Sequence, residues 1–181
     1  SDPLTVEQLL PIIAPNSTVR TELRGLIGWL ATLGSKSIQQ VAIKLDPYAV
    51  IANGDLSQLD KSSKALLLTC LEDLEAADPF FRRSDSWRRF SVEGLLTKDV
   101  MEQVRPIICG SGNGHLRHLL LELMIGTEAT KWLKTELSQL LLSSIESKET
   151  RMLASQCLIK LESYDCRSDL SNLITEASSC S

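Results

Sequence analysis

Apolar side chains recur at helical spacing almost from end to end of the sequence, and this period limits the possible folds more than any other feature. Val19, Leu23, Leu26, Ile27 and Leu30 step by four, three, one and three residues, which places them on one face of a helix. Leu67, Cys70, Leu71 and Leu74 repeat the pattern, as do Leu133, Leu137, Leu140 and Leu141, and then Leu153, Cys157, Leu158 and Leu161. No stretch alternates apolar and polar residues between hairpin-forming turns, so a β-sheet has no candidate strands. The reading is all-α, with helices expected over 5–14, 17–33, 35–44, 47–53, 61–77, 99–109, 115–126, 130–145, 149–163 and 167–178.

Start and stop signals agree with these spans. Thr5 with Gln8 forms a capping-box pattern, and Asp46-Pro47 and Asp78-Pro79 each join an N-cap acid to a proline already set for the first turn. Ser17, Ser63 and Thr130 are further candidate caps, and Asn53-Gly54 and Gly110 read as stops, Gly110 in left-handed form. The intervening loops are mostly short, which makes neighbouring helices antiparallel. Residues 78–98 are the exception, a long polar connection rich in arginine and aromatic residues.

The helices also repeat. Laying "GHLRHLLLELMIG" over "KETRMLASQCLIKL" aligns Arg117 with Arg151, Met124 with Leu158 and Ile125 with Ile159, an offset of 34 residues. "STVRTELRGLIGWL" (17–30) and "SSKALLLTCLEDL" (62–74) share the outline of a polar turn, a basic residue and a small-and-apolar helix. The unit spacing is irregular, which a solenoid tolerates because each helix pair contacts only its neighbours. The expected architecture is an irregular HEAT-like α-solenoid of antiparallel helix pairs, with a closed bundle as the alternative. Residues 1–181 form one helical-repeat domain in this reading, and 164–181 make a capping helix and a frayed tail.

Several function classes fall away on bulk properties. The net charge is −4, so the chain as a whole does not suit a polyanion, and nucleic acid would need a local basic patch. The five cysteines include no C-x-x-C pair, and Cys70, Cys109 and Cys157 lie in apolar helical runs; this suits reduced thiols in the cytoplasm better than a disulfide framework. No apolar run reaches the roughly 18–20 residues a membrane span requires, so no membrane contact is expected. The chain does not begin with Met and reads as a segment of a longer protein.

One stretch carries a family likeness. "DPYAVIANGDLSQLDKSSKALLLTCLEDLEAADP" (46–79) opens a short helix with Asp-Pro, turns at "GDLSQL", and runs through a longer helix to a second Asp-Pro. "WRRFSVEGLLTKDVMEQVRPII" (87–108) continues the outline, and the helices from Gly114 to Leu161 look like further repeats. In this pattern the chain resembles the HEAT-like helical repeats downstream of the NTPase domain in bacterial NACHT-type, STAND-class proteins. The resemblance implies a module that senses a ligand or partner, or holds the adjoining NTPase off. It implies no reaction, and the sequence has no G-x-x-x-x-G-K-[ST] phosphate loop.

Candidate sites follow from residue chemistry. "CGSGNGH" (109–115) places three glycines before a helix, as phosphate loops do, but it follows a helix and offers His115 where a lysine is needed. It reads as a corner. Cys109, His115 and His118, with Glu122 one turn on, have a spacing that could hold a metal, although structural zinc takes four ligands. No nucleophile, base and acid are visibly paired, so no catalytic residue, cofactor or metal is assigned. Trp29 and Trp132 read as core, with an exposed anchor as the alternative. The strongest lead is Phe80, Phe81, Arg82, Arg83, Trp87, Arg88, Arg89 and Phe90, where arginines and aromatics interleave. Such a mixture serves protein hot spots and single-stranded nucleic acid alike. In the plainer alternative the aromatics pin the connection to the core while the arginines are solvated or meet Asp78, Asp85 and Glu93. The expected partner is a protein or a neighbouring domain, with nucleic acid as the second choice.

Overall fold

The computed structural model describes residues 5–15, 19–82, 94–110 and 114–161, and within them the fold is all-α, with no strand. The helices are α1 (Val6–Ile13), α2 (Arg24–Leu33), α3 (Lys36–Leu45), α4 (Pro47–Asn53) and α5 (Lys61–Ala77). After the long connection come α6 (Met101–Cys109), α7 (His115–Met124), α8 (Ala129–Trp132), α9 (Lys134–Leu142) and α10 (Lys148–Ile159). Single 3-10 turns at Thr21–Leu23, Leu56–Gln58 and Lys98–Val100 lead into α2, α5 and α6. None of these helices is long and apolar enough to cross a membrane. The expected helix over 167–178 and the cap Ser17 lie outside the described residues.

Local chemistry sets the ends. Asp46 accepts the Ala49 N–H at 2.8 Å while Pro47 fills the first helical position, so α4 spans the residues its sequence predicts. The Gln8 side chain accepts the Thr5 N–H at 3.0 Å at the start of α1. Three expected caps act otherwise. Asp60, not Ser63, caps α5, and the Ser63 N–H donates to Asp60 at 2.8 Å. Thr130 lies inside α8 and donates its hydroxyl to the Met124 carbonyl at 2.7 Å. Asp78 ends α5 rather than starting a helix, and its carboxylate accepts the Phe80 N–H of the following turn. The stop at Gly110 is extended, with φ −64°, not left-handed. The span expected over 130–145 breaks into α8 and α9 at Leu133.

The core is aliphatic and continuous, running from Ile13 and Ile27 through Leu67, Leu68 and Leu71 to Leu153 and Leu158. Its main packing partners are close in the sequence: α2 meets α3 and α4, α3 meets α5, α5 meets α6 and α7, α7 meets α6 and α10, and α9 meets α10. Gly28 permits the close approach of α2 to α4, since a Cβ there would stand 2.6 Å from the Asn53 backbone of α4.

One tie recurs along the chain. In three pairs, α2–α3, α6–α7 and α9–α10, a side chain from the first turn or so of the second helix reaches back to a carbonyl in the last turn of the first. Gln39 of α3 donates to Ala31 of α2 at 2.8 Å, Arg117 of α7 donates to Ile108 of α6 at 2.9 Å, and Arg151 of α10 donates to Leu141 of α9 at 3.1 Å. Helix C-termini leave carbonyls without helical partners. Each tie therefore satisfies such a group and fixes the turn of its pair. Arg117 and Arg151 are the two arginines that the sequence offset superposes.

Candidate functional site

The start of the Arg/aromatic connection is built into the interior. The turn after α5 places Phe81 between two rings, 5.5 Å from Tyr48 of α4 and 5.9 Å from His115 of α7, edge to face with each. On the Tyr48 ring sits the Arg24 guanidinium, 5.6 Å from its centroid and paired with Asp46 at 2.8 Å. Phe80 is exposed, with its ring edge against His115 at 5.6 Å. The Arg82 N–H donates to His115 Nδ1 at 3.3 Å, and its guanidinium meets Glu122 of α7 at 3.0 Å. The Arg82 and Glu122 side chains are 4% and 2% exposed, so this ion pair is enclosed.

Arg82, named above as part of a candidate surface, is thus buried, and its guanidinium pairs with Glu122. Phe81 does what the plainer alternative asked of the aromatics and pins the connection to the core. A buried pair of this kind fixes one arrangement rather than adding much stability, because each ion loses its hydration. Arg83, Trp87, Arg88, Arg89 and Phe90 lie outside the described residues.

The glycine-rich corner has an internal explanation. Glu75 of α5 accepts the Leu116 N–H at 2.8 Å, so the positive end of α7 already faces a carboxylate supplied by the chain itself. Gly114 makes room for it, since a Cβ there would lie 2.5 Å from Glu75 Oε1. Residues 111–113 are outside the described set.

The two histidines engage separate neighbours. His115 faces the phenylalanines, whereas His118 is buried with Nε2 3.0 Å from the Thr150 hydroxyl of α10 and Nδ1 3.6 Å from Glu149. Burial holds the His118 pKa below its ordinary value, against the pull of Glu149. Cys109 is exposed. Among the described residues no three His, Cys, Asp or Glu side chains converge as metal ligands. Cys157 is buried, its thiol donates to the Leu121 carbonyl at 3.3 Å, and burial pushes its pKa up to about 12. A thiol so held is no ready nucleophile.

A surface that the sequence reading held only as its second choice for Trp29 lies on α2. Its inner face carries Ile27, Gly28, Ala31 and Thr32. Leu26, Trp29 and Leu33 form an outer stripe, with Trp29 55% and Leu33 73% exposed, and Ile12 of α1 is exposed as well. Trp29 is therefore not core, whereas Trp132 packs half-buried against it. A groove of about 350 Å³ runs beside the stripe, between Leu9, Trp29, Leu30, Leu33 and Ile38. The available signal was charge rather than period: from Gly25 to Leu33 the helix carries no charged residue. A helix apolar on every side ordinarily has neighbours on every side. Comparison with protein-family models, with curated proteins and with solved structures finds no match.

Proposed function

We propose that the chain is a non-catalytic protein-interaction and sensor module, a HEAT-like stack of helix pairs within a larger NTPase-type signalling or defence protein of the cytoplasm. The bare outer face of α2 carries this reading. Leu26, Trp29 and Leu33 offer an aromatic anchor and aliphatic flanks without a charge to desolvate, the composition of an interface centre. Its occupant is an apolar helical face of a neighbouring domain in the same protein. The stack is supported by the tie repeated at Gln39, Arg117 and Arg151 and by packing between elements close in sequence. Movement of the docked domain would then pass along the stack as a rigid-body shift. The nucleic-acid alternative at Arg82–Arg89 has less support, because Arg82 is held by Glu122 and is withdrawn from phosphate.

The test uses the full-length protein. Replacing Trp29 and Leu33 together by Glu should uncouple the NTPase rate from its regulation while the helical content stays unchanged. Regulation that survives the double substitution overturns the reading, as does a reading frame that encodes no NTPase domain.

A further inference from the structure

Among the described helices α7 is the most enclosed, with every residue from Leu116 to Met124 buried, and its polar side chains are held by partners from other elements. Arg117 is clasped by Glu146 through two bonds of 2.9 and 2.8 Å, and Glu122 is held by Arg82. His118 differs from both. It is the one side chain among these three whose charge changes near neutral pH, and it sits on the contact with α10, against the fully buried Thr150.

The charges around His118 decide what a proton would do there. α7 itself contributes Arg117 one residue before, His115 one turn before and Glu122 one turn after. Arg82 from the connection is committed to Glu122. α5 contributes Glu75, bonded to the Leu116 N–H, and the turn before α10 contributes Glu146, bonded to Arg117. Among the described carboxylates that face His118, Glu122 is engaged by Arg82, and Glu149 of α10 answers a new cation from 3.6 Å with a side chain 54% exposed to water. Glu149 is too solvated to offset an imidazolium buried beside a guanidinium.

We propose that His118 makes the α7–α10 contact acid-sensitive: its protonation loosens α10 from α7 while α2–α5 stay packed. The direction follows from linkage. A base whose folded-state pKa is depressed binds its proton more readily when released, so the contact is at full strength above pH about 6.5. It weakens as pH falls below that value, until the folded-state pKa is passed.

The experiment is hydrogen exchange on the 181-residue chain between pH 7.5 and 5, with rates corrected for intrinsic pH dependence. Wild-type α10 amides should lose protection relative to those of α2–α4, by at most about tenfold per pH unit, the limit for one proton. In His118→Gln, which keeps a side-chain hydrogen-bonding group near Thr150, the relative loss should vanish, and in His115→Asn it should persist. Equal protection at both pH values in wild type overturns the proposal, as does an unchanged loss in His118→Gln. Should that variant fail to fold, NMR titration of the His118 ring in His115→Asn replaces it. Titration below the ordinary histidine range, in step with α10 exchange, supports the proposal, and titration at or above that range overturns it.

Discussion

Arg117 and Arg151 stand 34 residues apart at matching places in successive helix pairs, and each donates to a carbonyl that ends the helix before it. Their surroundings differ. Arg117 is buried on a helix enclosed along its length, and a second pair of bonds ties it to Glu146 at the approach to the next pair. Arg151 is half-buried, on a helix whose Met152 and Ile159 face outward. The same residue type thus closes its own pair in both places, and at Arg117 it also joins that pair to the turn before α10. Burial and a second partner, rather than residue identity, set what the tie contributes.

Substitutions should magnify the contrast. Arg117→Ala leaves the part-buried Glu146 without this partner and frees the Ile108 carbonyl, and urea unfolding should show a loss of about 3 kcal/mol, the low end for a broken buried pair. Arg151→Ala removes one bond at a half-buried site and should cost about 1–1.5 kcal/mol in the same assay. A loss at Arg151 as large as that at Arg117 would break the distinction between the two ties. Gly114→Ala pushes away the Glu75 carboxylate that caps α7, and thermal melting should register a loss of about 0.5–1 kcal/mol, the size of a lost cap. Glu149→Gln touches only the solvated side of the α7–α10 contact, and its effect at pH 7.5 should stay within a few tenths of a kcal/mol.

The sequence was most informative where the determining groups are close together. α4 and α5 have the spans expected of them because aspartates and a proline within a few residues set their starts. The tie at Arg117 and Arg151 was visible as an alignment, although its carbonyl partners were not. The interior site was hidden for the opposite reason. Glu122 lies 40 residues from Arg82, and no local pattern indicates that an arginine among exposed-looking neighbours turns inward to meet it. Asp78-Pro79 misled because an Asp-Pro pair that starts a helix elsewhere here follows a helix end and makes a turn. The outer face of α2 came only second, through Trp29, because the helical period marks an apolar stripe without saying which side of an all-apolar helix faces the core.

If the helix pairs are coupled in series, each chiefly to its neighbours, truncating Leu153 to Ala in α10 should disturb the near helices and spare the far ones. Leu153 is fully buried, so its truncation should cost about 2–5 kcal/mol locally. Hydrogen exchange should then quicken across α9 and α10, less in α7, and not at all in α2–α4. An equal rise in every helix from α2 to α10 would mean a single cooperative core and would contradict serial coupling.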